Sequence, residues 1–102
     1  MIIYNVTASV EQSVTSDWLK WMKKKHVPEV MSSGIFISAQ IKRVISEADT
    51  NNTFAVAYTC KTIKDLHRYR LEFSNKLQQK HIARYGDKVV VFRSIMEVLE
   101  KF

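Results

Sequence analysis

The hydrophobic pattern of this chain predicts an α+β fold of order βαββαβ, and three observations carry that prediction. Three stretches, 2–10, 35–46 and 53–61, alternate apolar and polar residues with a period of two, and a fourth from Lys88 to about Leu99 opens with β-branched and aromatic residues. Two stretches between them carry apolar residues at helical spacing. The two glycines, Gly34 and Gly86, each stand where a helical stretch gives way to an extended one, a place that often needs a left-handed residue.

Composition sets the outer bounds. A chain of 102 residues is read as one domain, 1–102, able to bury roughly 60–70% of its unfolded surface without staples. Hydrophobic residues make up 46% of it, which fits a globular protein and excludes a disordered one. The opening Met-Ile-Ile-Tyr-Asn-Val-Thr-Ala-Ser-Val lacks the basic start, unbroken apolar run and cleavage site of a secretory signal, and no apolar run is long enough to span a membrane. A single cysteine, Cys60, excludes an internal disulfide and agrees with a reducing compartment, so the expected location is the cytoplasm. The formal charge of +6 raises the question of an anionic partner. Most of that charge lies on the helical stretches: Lys20, Lys23, Lys24 and Lys25 on the first, and Lys61, Lys64, Arg68, Arg70, Lys76, Lys80, Arg84 and Lys88 in or beside the second. Solvated helix faces account for it, and a nucleic-acid partner is not expected.

In the first strand Ile2, Tyr4, Val6, Ala8 and Val10 share one side, and Ile3, Asn5, Thr7 and Ser9 the other. From Ser13 or Thr15 the period changes. Val14, Trp18, Trp21 and Met22, with Leu19 at the edge, form a stripe opposite Asp17, Lys20, Lys23 and Lys24. His26 follows on the edge of that stripe. Pro28 disfavours helical geometry at Val27, which places His26 at the helix C-terminus, and a short second turn runs through Val30 and Met31 until Gly34 ends it.

Ile35, Ile37, Ala39, Ile41 and Ile45 form one face of the second strand, and Phe36, Ser38, Gln40 and Lys42 the other. The polar run 47–52, with Asp49, Asn51 and Asn52, reads as a hairpin connection. Phe54, Val56, Tyr58 and Cys60 share a face of the third strand. Thr62 and Asp65 have capping-box spacing at the head of a long helix, with Asp in place of the usual Glu or Gln, and Ile63, Leu66, Tyr69, Phe73 and Leu77 make its stripe. Toward its end at Tyr85-Gly86 the pattern breaks: Lys80, His81 and Arg84 occupy the face that Leu66, Phe73 and Leu77 held before. That end of the helix either overhangs the sheet or lines something polar.

Right-handed crossovers turn this order into a four-stranded antiparallel sheet with two helices on one face, the ferredoxin-like arrangement. One sheet face is then left bare. Yet the final strand is apolar on both sides, with Val89, Val91 and Ile95 facing one way and Val90, Phe92 and Met96 the other. No spare element exists to cover the second side, so a second copy is expected there, as a homodimer packed sheet on sheet.

His26 is the leading candidate for a catalytic general base or a ligand contact, because an imidazole changes charge near neutral pH. Its plain alternative is a histidine that caps a helix C-terminus. The candidate ligand-binding residues around it are Tyr4 and Asn5 on the first strand, Arg43 on the second, Tyr58 on the third and Arg93 on the fourth. Arg43 and Arg93 stand at alternation positions otherwise held by Ile and Val. Buried, either needs an anionic partner; at a strand end or a bulge, either reaches water. Trp18 and Trp21 are able to stack on a flat ligand or to fill core. His81 and Arg84 form an anion site, a dimer contact or an exposed helix end. His26, His67 and His81 show no metal-ligand spacing, Cys60 has no partner motif, and Gly-rich phosphate loops are absent, so neither a metal nor a cofactor is expected.

Met-Ile-Ile-Tyr-Asn-Val-Thr at the start, Trp18-Leu-Lys-Trp-Met, His26-Val-Pro-Glu-Val-Met, Gly34 with Phe36, Tyr58-Thr-Cys, and Tyr85-Gly-Asp-Lys with Phe92-Arg93 together resemble a small bacterial family known as a domain of unknown function. That family is similar in turn to the dimeric α/β-barrel group, which includes antibiotic-biosynthesis monooxygenases, EthD-like proteins and haem-degrading enzymes. The His-x-Pro followed by Gly34 looks like the EthD-like pattern, in which the histidine points toward a cleft between helices and sheet. Gly34-Ile35-Phe36 departs from the Gly-Phe of that pattern by one residue. The resemblance implies a dimeric α/β barrel that binds a small molecule, and an enzyme of the monooxygenase-like type that works without a cofactor.

Three functions compete at this level. The first is a homodimeric barrel binding a small aromatic or anionic molecule. The second is an RNA-binding module, since the RNA-recognition fold shares the βαββαβ order; Ile3-Tyr4-Asn5-Val6 and Phe54-Ala55-Val56-Ala57-Tyr58 loosely match its two aromatic motifs, though Asn52-Thr53 stands where Lys/Arg-Gly belongs. The third is a structural or regulatory dimer with no ligand.

Overall fold

The computed structural model describes residues 1–47 and 52–102. Strands β1 (Ile2–Val10), β2 (Ser38–Arg43), β3 (Thr53–Cys60) and β4 (Val89–Glu97) form one antiparallel sheet in the order β2-β3-β1-β4. Helices α1 (Thr15–Trp21), α2 (Val27–Met31), α3 (Ile63–Glu72) and α4 (Ser74–Tyr85) join the strands. This is the ferredoxin-like α+β arrangement that the periodicity predicts. The hairpin connection between β2 and β3 falls, for residues 48–51, outside the described residues.

Strand alternation divides the sheet cleanly. Across β1, Tyr4 stands opposite Tyr58 and Ile95, Val6 opposite Val56 and Arg93, and Ala8 opposite Phe54 and Val91. This face carries the core, in which Tyr4, Trp18, Val30, Phe36, Phe54, Val56, Tyr58, Leu66 and Tyr69 are all buried. The other face holds Ile3 opposite Met96 and Thr7 opposite Phe92. Val90 and Phe92 there are 66% and 63% exposed, an apolar surface that none of the described elements covers. Phe54 and Tyr58 belong to the covered face, at 1% and 3% exposure, so they offer no stacking platform for RNA bases.

Three expectations are corrected. The helix that begins at Thr15 does not end at His26: it runs on through a π-helical turn, Met22–His26, directly into α2, and Val27 keeps helical dihedrals. The Val27 N–H reaches back five residues to the Met22 carbonyl. Proline lacks an N–H and crowds the carbonyl four residues earlier, so the wider turn before Pro28 absorbs a clash that would otherwise break the helix. Gly34, at φ 76°, then ends α2.

The second strand is shorter than 35–46, because Ile35 and Phe36 are both buried in succession while Ile37 is half-exposed, so alternation begins only after them. Single bonds extend the pairing at each end, from the Ile37 N–H to the Thr59 carbonyl and from the Val44 N–H to the Thr53 carbonyl. The long helix is also two: Phe73, at φ −124°, separates α3 from α4. The Ser74 hydroxyl donates to the Arg70 carbonyl four residues back at 2.8 Å, a competition with the helix ladder that bends helices. Thr62 caps α3 as its spacing predicts, its Oγ1 accepting the Asp65 N–H at 3.1 Å. Gly86, at φ 57°, follows α4.

Candidate functional site

A cavity of about 170 Å³ lies between the covered sheet face and the helices. Its sheet side is built by Tyr4, Val6 and Ala8 from β1, Val56 and Tyr58 from β3, and Val89, Val91 and Arg93 from β4. Its helix side is built by Trp18, Met22, His26 and Val30 from the first helical run, and by Tyr69, Leu77, Gln78 and His81 from α3 and α4. The sheet side follows from strand periodicity, whereas the placement of His26 on the helix side follows the π-turn Met22–His26, which inserts one residue into the helix.

His26 sits within an aromatic cluster. Its ring centroid lies 5.0 Å from Trp21 and 5.9 Å from His81. The His81 Nε2 accepts a 2.9 Å hydrogen bond from the Trp18 indole N–H. Indole only donates, so Nε2 carries no proton and the neutral His81 holds its proton on Nδ1. Burial lowers the pKa of both imidazoles: His26 is pushed down to about 4, with the nearby His81, Lys80 and Arg93 adding to the effect of desolvation and Glu29 opposing it. His81 is lowered by burial and by the Arg93 charge. At neutral pH the cavity therefore presents two uncharged imidazoles, and His26 keeps a ring nitrogen able to accept a hydrogen bond.

The tyrosines contribute differently. Tyr4, Tyr58 and Tyr69 are 4%, 3% and 4% exposed, and burial raises the phenol pKa of Tyr58 and Tyr69 above the ordinary range. Among the described residues none of their three hydroxyls has a hydrogen-bond partner in the protein, and neither does His26. Arg93 makes no ion pair among the described residues, and its side chain reaches solvent at the cavity mouth. It is not the buried arginine that its alternation position suggests.

The helix side is fastened from outside. Tyr85 donates to Asp17 Oδ2 at 2.8 Å, Arg84 pairs with the same carboxylate at 3.4 Å, and Lys80 reaches Glu29 at 2.7 Å. Each contact ties α4 to the first helical run. Arg84 also lies 5.6 Å above the Trp21 ring, which is partly buried and packs against the edge of the core.

Of the residues singled out from the sequence, His26, Tyr4, Trp18, Tyr58 and Arg93 meet around this cavity. Asn5 does not; it stands on the open face, where its side chain donates to Thr7 Oγ1 at 3.1 Å. Arg43 does not either; it lies directly opposite Phe54 on β2, its guanidinium 5.1 Å above that ring. Two more cavity residues join them: Tyr69, which the sequence offered only as part of a stripe, and His81, which it offered with Arg84 as an anion site, a dimer contact or an exposed helix end. Tyr69 is hidden by its place in an apolar stripe. His81 was signalled by the break in that stripe after Leu77. Among the described residues no group of three His, Cys, Asp or Glu side chains is placed to hold a metal, and no helix is long and apolar enough to cross a membrane.

The fold and cavity define a class: a ferredoxin-like sheet with its helices on one side and a pocket between the layers. Solved structures of that class superpose over nearly the whole chain. A dimeric ferredoxin-like protein from an uncultured marine organism is 11% identical with a TM-score of 0.78, covering 99% of this chain and 97% of its own. A candidate antibiotic biosynthesis monooxygenase from Nitrosomonas europaea is 19% identical with a TM-score of 0.70, covering 98% and 100%. An ethyl tert-butyl ether D (EthD) family protein from Bacillus halodurans is 10% identical with a TM-score of 0.68, covering 97% and 100%. At these identities the likeness is one of fold. No curated protein matches the chain in sequence. Within that class, the chain belongs to the family described as a domain of unknown function, DUF4286, whose model matches residues 1–99.

Proposed function

We propose that this protein is a homodimeric, cytoplasmic small-molecule-binding α/β barrel that takes a small aromatic or anionic molecule into the cavity between sheet and helices. The observation that carries the reading is the convergence on one cavity of His26, His81, Arg93 and three tyrosines whose hydroxyls have no hydrogen-bond partner among the described residues. A purely structural dimer has no use for such a space. Where binding leads to reaction, His26 is the general-base candidate: it lines the cavity and its ring is uncharged at pH 7, with a basicity that burial weakens. The apolar open face, with Val90, Phe92 and Met96 exposed, supports pairing with a second copy.

Native mass spectrometry of gently desalted protein, followed by the same measurement on His26→Ala, tests both halves. The expected result is a dimer that retains a small molecule, and a variant dimer that has lost it while keeping its fold. A bare monomer would overturn the reading, and undiminished retention by His26→Ala would remove His26 from the site.

A further inference from the structure

We propose that the cavity selects a single-ring aromatic carboxylate, seated with its carboxylate against Arg93 and the Tyr69 hydroxyl and its ring between Trp18, Tyr4 and Tyr58. This rests on reading the cavity as a ligand site, and it adds the chemistry of the ligand and its orientation.

The polar lining is one-sided. Among the described residues no aspartate or glutamate lines the cavity, whereas the Arg93 guanidinium, the three tyrosine hydroxyls and the His81 Nδ1–H are all able to donate. Folded proteins leave few buried polar groups unpaired, so three buried tyrosines whose hydroxyls have no hydrogen-bond partner among the described residues point to a molecule rich in acceptors. Arg93 supplies the full positive charge. It has no acidic partner among the described residues, and it stands close enough to Tyr69, His26 and His81 for its field to act on all three. Arg93 and Tyr69 line the same cavity, and a guanidinium offers the planar donor set that a carboxylate accepts from in bidentate fashion, with a phenol as a further donor. Because Arg93 also touches solvent, it stands unpaired at no great cost until an anion arrives.

Size and shape choose the remainder of the molecule. A cavity of about 170 Å³ is close to the roughly 150 Å³ space that accommodates benzene in an engineered core, so it takes one ring and a small substituent. Tyr4 and Tyr58 are cross-strand neighbours on β1 and β3 with centroids 6.4 Å apart, Tyr69 stands 6.1 Å from Tyr4, and Trp18 also lines the cavity. Aromatic walls of this kind favour a flat ring over a branched aliphatic chain.

The test uses benzoate and its neutral isostere benzamide, titrated at pH 7 into the full-length protein, with heat of binding and the Trp18 indole N–H resonance as readouts. Benzoate is expected to shift that resonance and to bind at least about ten-fold more tightly than benzamide. In Arg93→Gln the two should bind within about two-fold of each other. Tyr69→Phe should weaken benzoate and leave benzamide unchanged. Arg93→Lys, which keeps the charge and loses the fork, covers the case in which Arg93→Gln does not fold, and should retain only part of the preference. Equal binding of both probes to wild type would overturn the carboxylate assignment and leave the pocket standing. Binding of neither probe would overturn this proposal and count against the ligand-site reading beneath it.

Discussion

The indole N–H of Trp18 and Nε2 of His81, 2.9 Å apart, join the first helical run to α4 across the top of the cavity. Trp18 is 1% exposed, so its indole N–H would be an orphan donor without that acceptor. The bond also discriminates between states of His81. A protonated imidazole would set N–H against N–H, which keeps the ring neutral and its proton on Nδ1.

Replacing Trp18 by Phe removes the donor and leaves space behind. The expected cost is about 1–3 kcal/mol in urea unfolding. The titration midpoint of His81, read from its ring protons by NMR, should rise at the same time, because Nε2 becomes free to take a proton. An unmoved His81 would show that the bond does not govern its protonation.

Acid should unfold this protein earlier than its carboxylates alone would require. The folded pKa of His26 is lowered from 6.5 to about 4, so the unfolded chain takes up a proton that the folded chain refuses between those values. Stability is therefore fully present above about pH 6.5 and falls as the pH drops toward 4, by on the order of 3 kcal/mol for this one group. The groups acting on it are His81 and Lys80 from α4, Glu29 from α2 and Arg93 from β4. Unfolding midpoints at pH 7.5 and pH 5 measure the loss, and His26→Gln should make the two more nearly equal.

Phe92→Glu places a charge on the open sheet face, within the edge strand β4. Static light scattering of the wild type should give twice the 11.9 kDa chain mass, and the variant should give the single-chain value with its secondary structure intact. A wild type that runs as a monomer, or a variant that still pairs, would move the interface elsewhere.

The cap at the head of α3 is a simpler case. Thr62→Ala removes the side chain that accepts the Asp65 N–H, and should lower unfolding stability by about 1 kcal/mol without touching the cavity. Ligand retention is expected to stay as in the wild type.

Much of this architecture was legible because it is a matter of period. Alternation in β1 and β3, the Thr62 cap and the turns at Gly34 and Gly86 are local properties, set by side-chain spacing and backbone freedom within a few residues. The two-sided apolarity of β4 was legible for the same reason, and with it the uncovered face. Pro28 was read correctly as a disturbance and incorrectly as a stop, since whether a helix breaks or widens at proline depends on what packs against it on both sides.

The site was less legible, because it is made of distances between elements. Sequence alone marked His26, Tyr4, Trp18, Tyr58 and Arg93 as residues of interest, and the pairing register then brought them to one space. It could not separate Asn5 from Tyr4 in role, although parity places them on opposite faces. Nor could it show that Arg43 rests on Phe54, or that Trp18 meets His81 sixty-three residues away. What the sequence by itself determined was the order of elements and the face each apolar residue takes, since both follow from local sterics and periodicity. Only the tertiary structure decided which polar groups share an enclosed space, because proximity and desolvation arise when helices from opposite ends of the chain close over the same sheet.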